Sequence, residues 1–166
     1  MKRTVLTYGL ISGVVVSGMM LAGLPFLTSG EYRKGEIFGY TSIVLAMLIT
    51  FFGVRAYREK TADGRLSFGR ALGVGLLITL VSCTCYVVTW ETMYFGVMPG
   101  LGDSVVTMMV AKAKASGASM EEATIQAQSF KTMYDNPAVN AALTFIEPFP
   151  IGLVVSLLSA AILRRK

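Results

Sequence analysis

Residues 71–90 read ALGVGLLITLVSCTCYVVTW, a run without a single charged side chain, bounded by Arg70 and Glu91. At about 1.5 Å of rise per residue, about 20 helical residues cover the ~30 Å hydrocarbon layer of a bilayer. A lone strand in lipid would leave its backbone donors and acceptors unsatisfied, so the run predicts a membrane-crossing helix. Met93, Tyr94 and Phe95 carry its apolar character on to about residue 95. Three further stretches, about 4–27, 37–54 and 138–163, have the same character. A signal peptide is the alternative for the first, with Thr28-Ser29-Gly30 as a weak cleavage site. Its apolar part is far longer than the ~7–15 residues of a signal core, which favours a span.

Composition agrees with this pattern. Of 166 residues, 54% are hydrophobic and 15% charged, and the mean hydropathy is +0.61. Soluble domains carry about a quarter charged residues. The net charge of +5 would hint at nucleic acid on a soluble protein. Here no basic run interleaved with aromatics suggests such a surface, and no nucleic-acid partner is expected. Ten of the fifteen Lys and Arg stand at the N-terminus, in the 55–70 loop and at 164–166. By the positive-inside rule both chain ends are expected in the cytoplasm. Trp90, Tyr94 and Phe95 are then expected as an aromatic belt at the outer interface.

The expected fold is all-α: a four-helix transmembrane bundle with a two-helix extracytoplasmic insert, about 102–136, between the third and fourth spans. In the insert, Asp103 is expected to cap a helix over 104–115 that ends at Gly117. Ser119-Met120-Glu121-Glu122 is a capping box that opens a second helix. Asn136-Pro137 supplies a cap and a first-turn proline for a helix running to Leu163, about 40 Å long. Lipid gives helices no hydrophobic reason to associate, so small residues should mark their contacts. Gly9, Gly13 and Ser17 form one such stripe, Gly152, Ser156 and Ala160 a second, and Gly69 with Gly73 a third.

Few residues suggest chemistry. There is no histidine, which removes the commonest acid/base group and a common metal ligand. Cys83 and Cys85 lie two apart on a helix, point to different faces and read as small apolar filler rather than a disulfide or metal site. No nucleophile with a base and no phosphate-cradling glycine loop is found, so no catalytic residue, cofactor or metal is expected. The most pointed residue is Glu147, in Thr144-Phe145-Ile146-Glu147-Pro148-Phe149-Pro150, about 25 Å above Arg164. The two prolines loosen the preceding turn, and freed carbonyls beside a carboxylate suit a cation or a proton. Glu91, about 30 Å above Arg70, falls in the same layer. Glu91 and Glu147 are therefore the candidate ion or proton site. Pairing with Arg33 or Lys34, contact with interfacial water and capping of helix ends are the alternatives. Arg55, Arg58, Arg65 and Arg70 are candidate contacts for anionic lipid, with topology alone as the other reading.

Two stretches carry a family resemblance: Gly53-Val54-Arg55-Ala56-Tyr57-Arg58-Glu59, and Gly64 through Leu72 with its Ser67-Phe68-Gly69-Arg70-Ala71 core. Together they resemble the bacterial membrane family called domain of unknown function 4199. Tyr86-Val87-Val88-Thr89-Trp90-Glu91, Tyr134-Asp135-Asn136-Pro137 and the segment 144–152 are similar to a subset of its members. The resemblance implies a bacterial inner-membrane protein and transfers no activity. The expected function is a non-enzymatic accessory or interaction protein whose partners are the bilayer and either a second copy or another membrane protein. A small transporter or channel using Glu91 and Glu147 is the alternative.

Overall fold

A computed structural model of the chain describes residues 1–61 and 64–164. Arg165 and Lys166 of the basic tail lie outside the described residues. The described residues form seven α-helices in order: α1 Lys2–Thr28, α2 Tyr32–Glu59, α3 Phe68–Glu91, α4 Leu101–Ala115, α5 Met120–Tyr134, α6 Pro137–Ile146 and α7 Phe149–Leu163. A π-helical turn, Thr92–Val97, continues α3. No strand of a sheet occurs among the described residues. Among the described residues, four helical stretches are long and apolar enough to cross a membrane: Lys2–Leu27, Tyr32–Glu59, Phe68–Val97 and Pro137–Leu163. Each covers the expected span and overshoots it, because helices continue through polar flanks such as Tyr32-Arg33-Lys34 once they have nucleated.

The caps follow local chemistry. Ser67 accepts the Arg70 amide at the start of α3, and Ser119 accepts the Glu122 amide at the start of α5. Asn136 accepts the Ala138 and Val139 amides, with Pro137 in the first turn of α6. Gly117 ends the α4 turn at φ +89, a conformation that glycine adopts without cost. Two expectations are corrected. Asp103 does not cap α4; the helix starts at Leu101, and the Asp103 carboxylate stands 3.9 Å from Lys131 instead. The last span is two helices rather than one, because Pro148 and Pro150 have no amide hydrogen to continue the ladder across Glu147. The π turn has a related cause. Met98 precedes Pro99, leaves the helical region at φ −129 and ψ 76, and bonds back five residues to the Met93 carbonyl.

Going round the bundle, α1 packs on α3, α3 on α7, α7 on α2 and α2 on α1, with α2 touching α3 across the diagonal. Small residues make the close approaches. A methyl group on Gly9 would stand 2.7 Å from Val81 Cβ, and one on Gly13 the same distance from Cys85. Gly152 lies tighter still on Thr79, and a methyl group on Gly75 would stand 2.9 Å from Ser156 Cβ. Hydroxyls bond across the same seams: Ser12 donates to the Ala46 carbonyl at 2.8 Å and meets Ser82 at 2.9 Å, while Thr79 meets Ser156 at 3.2 Å. Both cysteines are free and fill space against these helices. Gly69 and Gly73 meet no neighbour, so the third stripe is not a contact within the chain.

The core has three storeys. At the basic end Leu66, from the α2–α3 connection, plugs a cluster of Val5, Val54, Ala71, Val74, Ile78 and Leu163. Val16, Ile43, Met47, Cys83 and Tyr86 fill the middle. At the far end Tyr94, Leu101 and Tyr134 hold the α4–α5 hairpin over α1 and α3.

Gly13→Leu should therefore overpack the α1–α3 seam and cost about 1–3 kcal/mol, seen as a lower melting temperature in detergent. Gly73→Ala, on an open helix face, should melt like the wild type or slightly higher.

Candidate functional site

The break in the fourth span positions Glu147. Its carboxylate is not packed away; it borders a cavity of about 340 Å³ in the half of the bundle away from the basic end. Counting down α7, Glu147 stands about 24 Å from Leu163. The Tyr86 hydroxyl, from α3, donates to Glu147 Oε2 at 2.9 Å. Gly23 of α1 and Gly35 and Gly39 of α2 lie on the opposite wall, and α4 contributes Met108 and Lys112 above. Lys112 donates to Glu36 of α2 at 2.9 Å, a bond that ties the hairpin to α2 at the mouth. A second cavity of about 140 Å³ adjoins the first through shared walls at Gly23, Gly35, Gly39, Tyr86 and Trp90. Its own lining is apolar, with Val16, Met19, Met20 and Phe38.

Beside Glu147, Tyr134 and Thr144 of the cavity wall belong to a buried polar ring. Asn140 Nδ2 donates to the Tyr134 carbonyl at 3.1 Å, Thr144 donates to Asn140 Oδ1 at 3.2 Å, and the Tyr134 hydroxyl meets Thr144 Oγ1 at 3.2 Å. Asn140 is fully buried, and removing it would cost the Tyr134 carbonyl and the Thr144 hydroxyl one bond each. Burial pushes the Tyr134 hydroxyl to a higher pKa; Thr144 opposes this, and the nearby Glu147 and Glu91 carboxylates push the same way as burial. Both acids thus lie within electrostatic reach of one phenol. Their surroundings differ. Glu147 meets the cavity, whereas Glu91 sits where α3 passes into the π turn, and its buried Oε1 has no hydrogen-bond partner among the described residues. The indole N–H of Trp90 lies near the Tyr134 hydroxyl without reaching hydrogen-bond geometry. Lys34 does not pair with either candidate acid; it bonds Glu31 at 2.6 Å.

The hairpin is latched beside this site. The Tyr94 hydroxyl donates to Asp135 Oδ1 at 2.7 Å, and Lys131 donates to Asp135 Oδ2 at 2.9 Å. Gly102 allows the approach, since a methyl group there would stand 2.7 Å from the Tyr94 hydroxyl. The Tyr94 and then the Lys131 bonds hold the Asp135 carboxyl below the usual carboxylate range. Asp135 in turn raises the pKa of Lys131. Of the aromatics expected at the outer interface, only Phe95 faces outward; Tyr94 is 5% exposed beneath the hairpin, and Trp90 turns into the cavity wall. The hydroxyl of Tyr94 explains the difference, because Asp135 offers it a partner that lipid cannot.

At the other end, Arg55 and Arg58 close α2, Arg65 lies in the connection and Arg70 opens α3. Arg55 bonds Glu59 at 2.9 Å, so it is shared between that acid and any headgroup. The described residues contain no group of three or more His, Cys, Asp or Glu placed to hold a metal ion.

A family model, "Protein of unknown function (DUF4199)", matches residues 7–165, nearly the whole chain and all four apolar helices. The chain belongs to this family. No curated protein and no solved structure matches it. DUF4199 membership fits the arginines around the α2–α3 junction and assigns no activity.

The acid response of the latch has a definite sign. Asp135 has a depressed folded pKa, so its contribution is present above the ordinary aspartate value of ~3.9 and lost as pH falls through the folded value. With a carboxylate 44% exposed, solvent screening keeps that contribution small. Below about pH 4 the hairpin should lose protection in amide exchange before the spans do, and Asp135→Asn should remove this acid-dependent step.

Proposed function

We propose that this DUF4199 chain is a non-enzymatic, multi-pass protein of the bacterial inner membrane that binds rather than converts. Both ends lie in the cytoplasm, the α4–α5 hairpin lies outside, and Glu147 is the working residue. One observation carries the reading: a carboxylate in the apolar part of a span borders open space beside a proline break. Carboxylates are costly at that depth and are retained where they meet a cation, a proton or a partner. The orientation is supported by the basic residues gathered at one end of the bundle. There Arg55, Arg58, Arg65 and Arg70 would meet anionic headgroups. The apolar side chains on the outside of α1 and α2, Val14, Ile37 and Phe52 among them, suit lipid and a neighbouring helix alike, and the accessory role alongside a second copy or another membrane protein is part of this proposal.

Labelling with a membrane-impermeant maleimide tests the orientation. Gln128→Cys, exposed on α5, should react in intact cells, and Lys60→Cys, at the end of α2, only after lysis. The opposite pattern would end this topology. Solubilisation from native membranes should yield a defined oligomer or a constant partner; a bare monomer would remove the accessory role.

A second reading, a small transporter or channel, is favoured by the helix break beside Glu147, where the prolines free carbonyls for a passing ion. Reconstituted vesicles should then show proton or cation flux that Glu147→Gln lowers at least tenfold. Flux that is absent, or equal in the variant, ends this reading.

A further inference from the structure

Resting on the Glu147 site proposed above, the chemistry of the two joined cavities narrows what enters them. Three charged residues line the larger one: Glu36, Glu147 and Lys112. Lys112 is engaged with Glu36, so the wall carries one uncompensated carboxylate, Glu147, whose bonded neighbour is the neutral hydroxyl of Tyr86. Six aromatic side chains share that wall: Phe26, Tyr32, Tyr40, Tyr86, Trp90 and Tyr134. Aromatic faces around a carboxylate are the recognition chemistry of an ammonium group, which gains from ring quadrupoles and counter-charge together. A small metal cation would find one carboxylate not already paired, Glu147, and no ligand cluster among the described residues. The adjoining 140 Å³ cavity is apolar and continues between α1 and α2, where an alkyl chain would lie. The larger volume is at the lower end of those that hold small organic ligands.

The geometry points to an amphipathic ammonium as the ligand, its cationic head held against Glu147 in the aromatic chamber and its apolar tail laid in the groove between α1 and α2. The source is either a free long-chain amine or the ethanolamine headgroup of a membrane lipid; both present the same chemistry.

The chain contains one tryptophan, Trp90, and it stands in the wall shared by both cavities, so its fluorescence reads this site directly. Full-length protein in maltoside micelles is titrated with dodecyltrimethylammonium and, separately, with dodecyl sulfate. A saturable change in Trp90 emission is expected for the cation and none for the anion. Glu147→Gln should weaken the apparent affinity at least tenfold. Gly39→Leu provides a second variant, because a Cβ there would meet no atom within 4 Å and Gly39 lines both cavities. It should abolish the response while melting like the wild type. The sources are separated in nanodiscs of phosphatidylglycerol with or without phosphatidylethanolamine. A Trp90 shift that needs phosphatidylethanolamine and is lost in Gly39→Leu assigns a lipid headgroup. The same emission in both discs, with a response to the added amine, assigns a free amine. An unsaturable response, an equal response to dodecyl sulfate, or variants that respond like the wild type overturn the inference. Glu147-dependent proton flux with a silent Trp90 would keep the acidic site and overturn the amphipathic ligand.

Discussion

In a bilayer, two helices gain nothing by hiding apolar side chains from each other, because the lipid tails are just as apolar. Close contact must then come from backbones that approach and from polar groups that find each other. The bundle is built on that constraint. Gly9, Gly13, Gly75 and Gly152 bring α1 and α7 onto α3, and the Ser12–Ser82 and Thr79–Ser156 pairs bond across the gaps. The same residue type has the opposite effect between the outer halves of α1 and α2. There Gly39 faces no neighbour and leaves room beside the cavities, while Gly23 and Gly35 lie close on Phe38 and Phe26. One physical rule thus yields a rigid seam on α3 and a chamber a few turns away.

The hairpin completes the chamber. Its apolar stripe alone would not hold two short helices over the spans, since helices of fifteen residues are marginal in isolation. Tyr94 and Asp135 supply the fastening, and Tyr134 joins hairpin to site: its ring meets Tyr94 and stacks on Phe130, while its hydroxyl reaches Thr144. Lys112 then meets Glu36 across the mouth. The polar groups that fasten the hairpin and those that line the cavity are therefore continuous through one tyrosine.

Much of this was legible in residue order. Charge-free runs such as 71–90 mark helices unambiguously, because a bilayer permits little else, and the caps at Ser67, Ser119 and Asn136 are local. Glu147 announced itself by being a carboxylate just before two prolines in an apolar stretch. What escaped was everything decided by pairs distant in the chain. Nothing near Tyr86 says that its hydroxyl meets a residue 61 positions away, and nothing near Tyr94 says that Asp135 will turn it inward. Trp90 and Tyr94 have the composition of an interface belt, so their inward turn appears only when the hairpin is in place. Small-residue stripes were legible as contacts but not as partners, which is why Gly69 with Gly73 looked equivalent to Gly9 with Gly13.

The interrupted fourth span belongs to two neighbourhoods. Below Pro148, α7 is keyed to α3 through Gly152 and Ser156 and belongs to the frame. Above it, α6 packs on α3 and is also tied to the end of α5 through Asn140. Glu147, the one charged side chain of Pro137–Leu163, therefore stands at the joint where the frame and the outer hairpin meet.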